Sequence, residues 1–192
     1  LAHLQIHFIR YLQVGGFPEL ALSQNDTYAQ RILREDIVDK ALKRDLPSVY
    51  KIRNIADLEK IFLYLCYYSS KIINIEAITK ELNGISRATV ENYIKYLESS
   101  NLIYTSRSID IKGKKMLKSQ QKMFIADAAI RNAVLMNDDI IADSTEMGII
   151  VETAVYKHIR TFYYNTPAEI GYYRDTVNDK EIDIVVNVPR TL

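Results

Sequence analysis

Residues 83–103 constrain the fold of this chain more than any other stretch: N-G-I-S-R-A-T-V-E-N-Y-I-K-Y-L-E-S-S-N-L-I. Asn83-Gly84 is a helix-closing pair. Ser86 is placed to cap the helix that follows, because its hydroxyl can accept from an orphan N–H of the first turn. Val90, Tyr93, Ile94 and Leu97 then recur at helical spacing and define one apolar face. Ahead of the turn, N-I-E-A-I-T-K-E-L offers Asn74 as a cap, with Ile75, Ile78 and Leu82 on one face. Two short helices joined at Gly84 make a helix-turn-helix pattern. A strand from Leu102 and a returning strand over 122–125 complete the outline of a winged helix. Many functions share that outline, so it predicts architecture rather than chemistry.

The flanking sequence reads as helices before this centre and as a helix plus a hairpin after it. Leu1, Leu4, Phe8 and Leu12 share a helical face that Gly15-Gly16-Phe17-Pro18 ends. Asn25 or Asp26 caps a longer helix whose apolar residues are Ile32, Leu33, Ile37, Val38, Ala41 and Leu42. Leu46-Pro47 reads as its stop, since the residue before proline is pushed out of the α region. A third helix begins near Asn54, with Leu58, Ile61, Phe62, Leu65 and Cys66 on its core face. Beyond Asp127, Ser144-Thr145 opens a long helix to about residue 164, striped by Met147, Ile150, Val151, Ala154 and Val155. Strands over 169–173 and 181–188 flank an Asn178-Asp179 turn. The expected class is α+β, divided near residues 50 and 126.

Charge narrows the partners. The net charge of the 192 residues is +1, so any attraction to nucleic acid must be local. It is local: between Leu102 and Ile125 stand Arg107, Lys112, Lys114, Lys115, Lys118 and Lys122 against Asp110 alone, with Gly113 where a wing would turn. The second helix of the motif is neutral, Arg87 and Lys95 offsetting Glu91 and Glu98. Only Arg87 and Asn92 could read base edges. Contact with double-stranded DNA would therefore run through phosphates, at Arg87, Arg107, Lys112, Lys114, Lys115 and Lys118. The alternative is a solvated hairpin whose lysines block edge pairing, in a module that contacts only protein. One cysteine, Cys66, excludes an internal disulfide and fits a reducing cytoplasm. No apolar run reaches the ~18–20 residues of a membrane helix, and no Walker A loop is present.

Chemistry-bearing residues are few. His3 and His7 have the i, i+4 spacing of a zinc helix, but Leu4 stands where the general-base glutamate belongs. Cys66 holds a core position. Tyr67-Tyr68, Tyr163-Tyr164 and Tyr172-Tyr173 could stack bases, or could each split between core and surface. The sharper pair is Glu152, set in an apolar helical stripe with Gly148 one turn before it, and Asp183 on a strand face shared with Glu181. A helix glutamate and a hairpin aspartate can hold Mg²⁺ through hard oxygens while a lysine orients water. That lysine is expected from an E-x-K or Q-x-K strand, and none follows before Leu192. No bound metal and no cleavage are therefore expected here.

Taken together, these motifs resemble a known family. Residues 12–18, L-Q-V-G-G-F-P, are similar to its YLxxGGFP signature, and Tyr28 with Asp36-Ile37 match the helix after it. Ser86, Thr89, Tyr93 and Leu97 resemble SxxTxxxYxxxL. Residues 122–127 resemble K-x-Y-F-x-D, with Met123-Phe124 and Asp127-Ala128-Ala129 departing from the usual pattern. Gly148, Glu152 and Val155 resemble GxxxExxV, and Tyr173-Arg174 with residues 181–185 resemble YxR…EVDFV. The family is the C-terminal region, a domain of unknown function, of prokaryotic AAA-type ATPases. The resemblance implies an ATPase domain ahead of Leu1, carrying ATP and Mg²⁺, and makes this chain a piece of a longer one without a cofactor of its own. It implies a helical unit over 1–50, a winged helix over 51–126 and a truncated PD-(D/E)XK nuclease-like unit over 127–192. Glu152 and Asp183 would be the nuclease-like pair. The expected role is a DNA-associated accessory region; the rivals are a protein-contact module and part of a metal-dependent nuclease.

Overall fold

The computed structural model describes residues 2–109, 121–137, 140, 143–175 and 177–189. Helix α1 (Ala2–Val14) ends at Gly15, whose φ of +79° turns the chain. A Cβ at Gly15 would press on Asp127 Oδ1 at 3.1 Å, so the glycine also permits close packing. After the short α2 (Pro18–Leu22), Asn25 caps α3 (Asp26–Ile32) by accepting from the Tyr28 N–H. Helical structure then runs unbroken through two π-helical segments, Leu33–Asp39 and Ala41–Asp45, into α4 (Leu46–Tyr50). Leu46-Pro47 is thus not a stop. The π-helical turn before it supplies the relief: the longer hydrogen-bond step leaves the proline without an obligatory i−4 partner. The helix ends four residues later at Lys51, in the left-handed region.

The central elements follow their caps. Asn54 caps α5 (Ile55–Tyr67), Asn74 caps α6 (Ile75–Glu81) and Ser86 caps α7 (Arg87–Ser99), each through a side-chain oxygen. Between α5 and α6 lies the two-residue strand β1 (Ile72–Ile73), and after α7 come β2 (Ile103–Ser108) and β3 (Gln121–Ile125). Leu58, Phe62, Leu65, Ile78, Val90, Ile94, Leu97 and Leu102 are all buried in one cluster, together with Val14, Leu20, Leu33 and Leu42 from the N-terminal helices. One core therefore spans the residue-50 division.

Helix α8 (Ala128–Leu135), capped by Asp127, has no counterpart in the sequence reading. It is held by Arg131, fully buried, whose guanidinium donates to the Cys66 carbonyl at 2.8 Å and to Glu146 Oε2 at 2.6 Å. Helix α9 (Ser144–Phe162) follows, and then β4 (Glu169–Asp175) and β5 (Lys180–Asn187). In α9, Ile150 and Ala154 are buried, but Val155 faces solvent, so the expected stripe is narrower than read.

Among the described residues the strands form one mixed sheet, in the order β1-β3-β2-β4-β5. β2 pairs antiparallel with β3 (Tyr104 opposite Phe124) and parallel with β4 through only Arg107–Gly171 and Ser108–Tyr172. Gly171 makes that join possible, because a Cβ there would overlap the Arg107 carbonyl oxygen and the Ile109 side chain. The fold is α+β, and its sheet continues across the residue-126 division.

Candidate functional site

Lys122 is the residue around which the site forms. It lies on β3 between β1 and β2, opposite Ile72 and Ser106, and is 2% exposed. A buried ammonium is tolerated only when paired. Its Nζ stands 2.7 Å from Glu152 Oε1 on α9, 3.0 Å from Glu181 Oε1 and 2.5 Å from Asp183 Oδ1 on β5. In a flat sheet β5 would lie about 14 Å from β3, three strand spacings away. The contact therefore requires the β4–β5 hairpin to curl back from its short join with β2.

This geometry brings together the two carboxylates singled out in the sequence. Because one oxygen is 2.7 Å and the other 2.5 Å from the same nitrogen, they lie no more than about 5.2 Å apart. Glu152 pairs with Lys122, whereas Arg174 pairs with Asp179 at 3.2 Å. Among the described residues, nothing lies within 4 Å of where a Cβ on Gly148 would stand.

Burial raises the Glu152 pKa; the Lys122 ammonium opposes this, Asp183 adds to it, and the net shift is upward. Glu152 Oε1 is close to the ammonium but receives no well-directed hydrogen bond, so the contact is an ion pair. Burial works to lower the Lys122 pKa, but its hydrogen bonds to Asp183 and Glu181 and its ion pair with Glu152 together raise it above the ordinary lysine value. Lys122 is thus protonated near neutral pH and is no nucleophile. Its ammonium fills the centre that a divalent cation would need. Among the described residues no group of three or more His, Cys, Asp or Glu side chains is arranged to hold a metal ion. Three carboxylates gathered on one ammonium satisfy its charge.

Lys122 and Glu181 were not singled out as site residues from sequence. The available signal was a lysine adjoining Met-Phe-Ile in a strand, which asks for a buried partner. Counted with the hairpin's other cations, Lys122 passes for a surface charge.

The nucleic-acid candidates are placed differently. Arg87 is held by Glu76 at 3.0 Å and Glu91 at 2.9 Å. Arg107 is exposed on β2 and lines, with Arg87, Lys95 and Gln121, a groove of about 350 Å³ between α7 and the sheet. Glu98 in that groove accepts from the Thr105 N–H and hydroxyl. Lys112, Lys114, Lys115 and Lys118, with Gly113, lie outside the described residues. Cys66 is buried in the core and its thiol pKa is pushed up by burial, which leaves it a packing residue. No described helix is long and apolar enough to cross a membrane.

Known proteins add a family but no activity. An uncharacterized protein of Methanocaldococcus jannaschii, MJ1544, is 28% identical over 163 residues, covering 83% of this chain and 35% of that protein. An uncharacterized protein of Haemophilus influenzae is 26% identical over 128 residues, 65% of this chain and 32% of that protein. The chain thus spans about a third of the length of these relatives. No solved structure matches it significantly. Residues 5–140 match the family described as Domain of unknown function (DUF8612), and since that match takes in well over half of the sequence, the chain belongs to this family.

Proposed function

We propose that this chain is a DNA-associated accessory region of a longer prokaryotic AAA-type ATPase, in which a winged helix meets duplex DNA through phosphates. The observation that carries the reading is the α6–turn–α7 pair followed by antiparallel β2 and β3, whose connecting sequence holds Lys112, Lys114, Lys115 and Lys118 against Asp110. Clustered lysines release counterions from DNA and give affinity without sequence readout. Arg107 extends the cationic surface, while Arg87, engaged by two carboxylates, adds little. The ATPase assignment rests on the motif resemblance, and the relatives' greater length leaves room for such a domain. ATP and Mg²⁺ belong to that domain. The 127–192 segment, with β4 and β5, is read as nuclease-like in arrangement but without metal-dependent cleavage, because Lys122 neutralises Glu152 and Asp183 from within.

The test is duplex affinity as a function of salt. We expect a steep fall, and Lys114→Ala with Lys115→Ala should flatten the log–log slope by about 1 to 2. A protein-contact module is the second reading, favoured by the pairing of Arg87 with Glu76 and Glu91. An unchanged slope in the double variant would establish that reading instead.

A further inference from the structure

On the far end of α5 the sequence Tyr67-Tyr68 does not divide between core and surface: both rings are exposed, Tyr67 at 57% and Tyr68 at 37%. Tyr68 stacks on Tyr64, one turn earlier, with ring centroids 4.4 Å apart. These rings, with Leu63 and Leu82, line an open groove of about 440 Å³ whose charged walls are Lys60 and Glu81. Lys71 adds a second ammonium, 5.9 Å from the Tyr68 ring centre. Neither lysine has an ion-pair partner among the described residues, so the groove and its rim carry a net positive charge of one.

Leu63, Tyr64, Tyr67, Tyr68 and Leu82 share one open groove, and a contiguous apolar patch rimmed by charge is the mark of a binding surface. A purely apolar partner would gain from the rings but nothing from the two ammoniums beside them. A single-stranded nucleic acid satisfies both features: its bases present flat π-faces to the rings, and its phosphates meet the lysines. The structure assigns this groove as a single-stranded nucleic-acid platform, with Tyr67 and Tyr68 stacking bases and Lys60 and Lys71 contacting the backbone. The site is separate from the winged-helix surface proposed above and does not depend on it.

The chain contains 14 tyrosines and no tryptophan, so ultraviolet emission reports tyrosine alone. Titration of the whole chain with a twelve-nucleotide oligothymidine at low salt should quench that emission. Tyr67→Ala should weaken binding about tenfold, while Tyr67→Phe, which keeps the ring, should stay within about twofold of the parent. Lys60→Gln with Lys71→Gln should flatten the salt slope by about 1.4. Absence of binding by the parent chain would overturn the assignment. So would a Tyr67→Ala variant that binds as tightly as the parent, which would point to the lysines of 112–118 as the attachment. Loss of binding in Tyr67→Phe equal to that in Tyr67→Ala would also overturn it, since stacking needs the ring and not the hydroxyl. Duplex binding with the 114/115 effect intact is read independently and decides the winged-helix reading alone.

Discussion

Arg87 and Lys122 are both cations set between carboxylates, yet they do opposite work. Arg87 meets Glu76 and Glu91 at 3.0 and 2.9 Å with more than half of its side chain in water. Lys122 meets Glu152, Glu181 and Asp183 at 2.5–3.0 Å with 3% of its side chain exposed. The first cluster is screened by solvent and salt, so its members are nearly free to rearrange. In the second, water reaches Asp183 but replaces a missing partner poorly at the buried Lys122 and the half-buried Glu152, and the fold must keep those charges together. Lys122 also joins β5 to β3, and it adds a charged tie to α9, which further meets β3 through the stacked rings of Tyr156 and Phe124, 4.0 Å apart. The difference teaches that distance alone does not separate a decorative ion pair from a structural one; burial does.

The largest expected effect breaks the buried cluster. Lys122→Met leaves Glu152 and its neighbours as uncompensated charges and should lower unfolding free energy by about 3 kcal/mol, read from the urea midpoint. The value lies at the lower end for a buried pair because Asp183 is more than half exposed and solvated. Adding Glu152→Gln should recover part of the loss, since the cost is the orphaned charge and not the missing lysine itself. Failure to recover would place the cost in packing. The pH dependence carries the same signature. Lys122 has a raised folded-state pKa, so its stabilisation is complete below the ordinary lysine value and is lost as pH climbs through the raised one. The parent and Lys122→Met should therefore converge in stability in the alkaline range. Glu152, also raised, makes folding slightly less favourable as pH rises past the ordinary carboxylate range, and Glu152→Gln removes that decline.

The next effect sharpens the comparison by attacking the sheet that delivers β5 to Lys122. Gly171→Ala places a methyl group into the Arg107 carbonyl oxygen and Ile109. The backbone must shift, at a cost of about 2 kcal/mol, typical of overpacking. Among the described residues the β2–β4 join has two paired positions and the Ile109 N–H bond to the Tyr172 carbonyl, so the shift should release the β4–β5 hairpin before the helical core opens. Hydrogen exchange should then show faster exchange over 169–175 and 180–187 with α5 and α7 unchanged. Uniformly faster exchange would mean that the sheet and helices unfold as one unit and that Lys122 is not the main tie.

What the sequence disclosed follows the range of the interactions involved. Caps at Asn54, Asn74 and Ser86, and the core faces of α5 and α7, depend on spacing within one turn or one helix, and they could be read directly. Pro47 misled because its usual meaning assumes an α-helical turn ahead of it, and the structure has a π-helical one. Helix α8 was passed over because its buried face includes Arg131 and Asn132, which hide the apolar period. At the candidate site, Glu152 and Asp183 stood out by position in their own elements. Lys122 did not, since its meaning lies in partners 30 and more residues away and in a parallel strand pairing that no local pattern encodes.

The smallest effect is expected at Arg87. Arg87→Ala removes both exposed ion pairs, with Glu76 and with Glu91, the latter at the i, i+4 spacing. Those carboxylates remain hydrated after the change, so no charge is stranded. Alanine is also the better helix former at the first position of α7, which offsets part of whatever the pairs contribute. The Ser86 cap, which accepts from the Thr89 N–H, is untouched. The urea midpoint should therefore be indistinguishable from that of the parent at both low and moderate salt. A drop comparable to that of Lys122→Met would erase the contrast between the two clusters. It would show that Arg87 locks α6 against α7 through Glu76, making the turn at Gly84 a rigid joint in place of a solvated one.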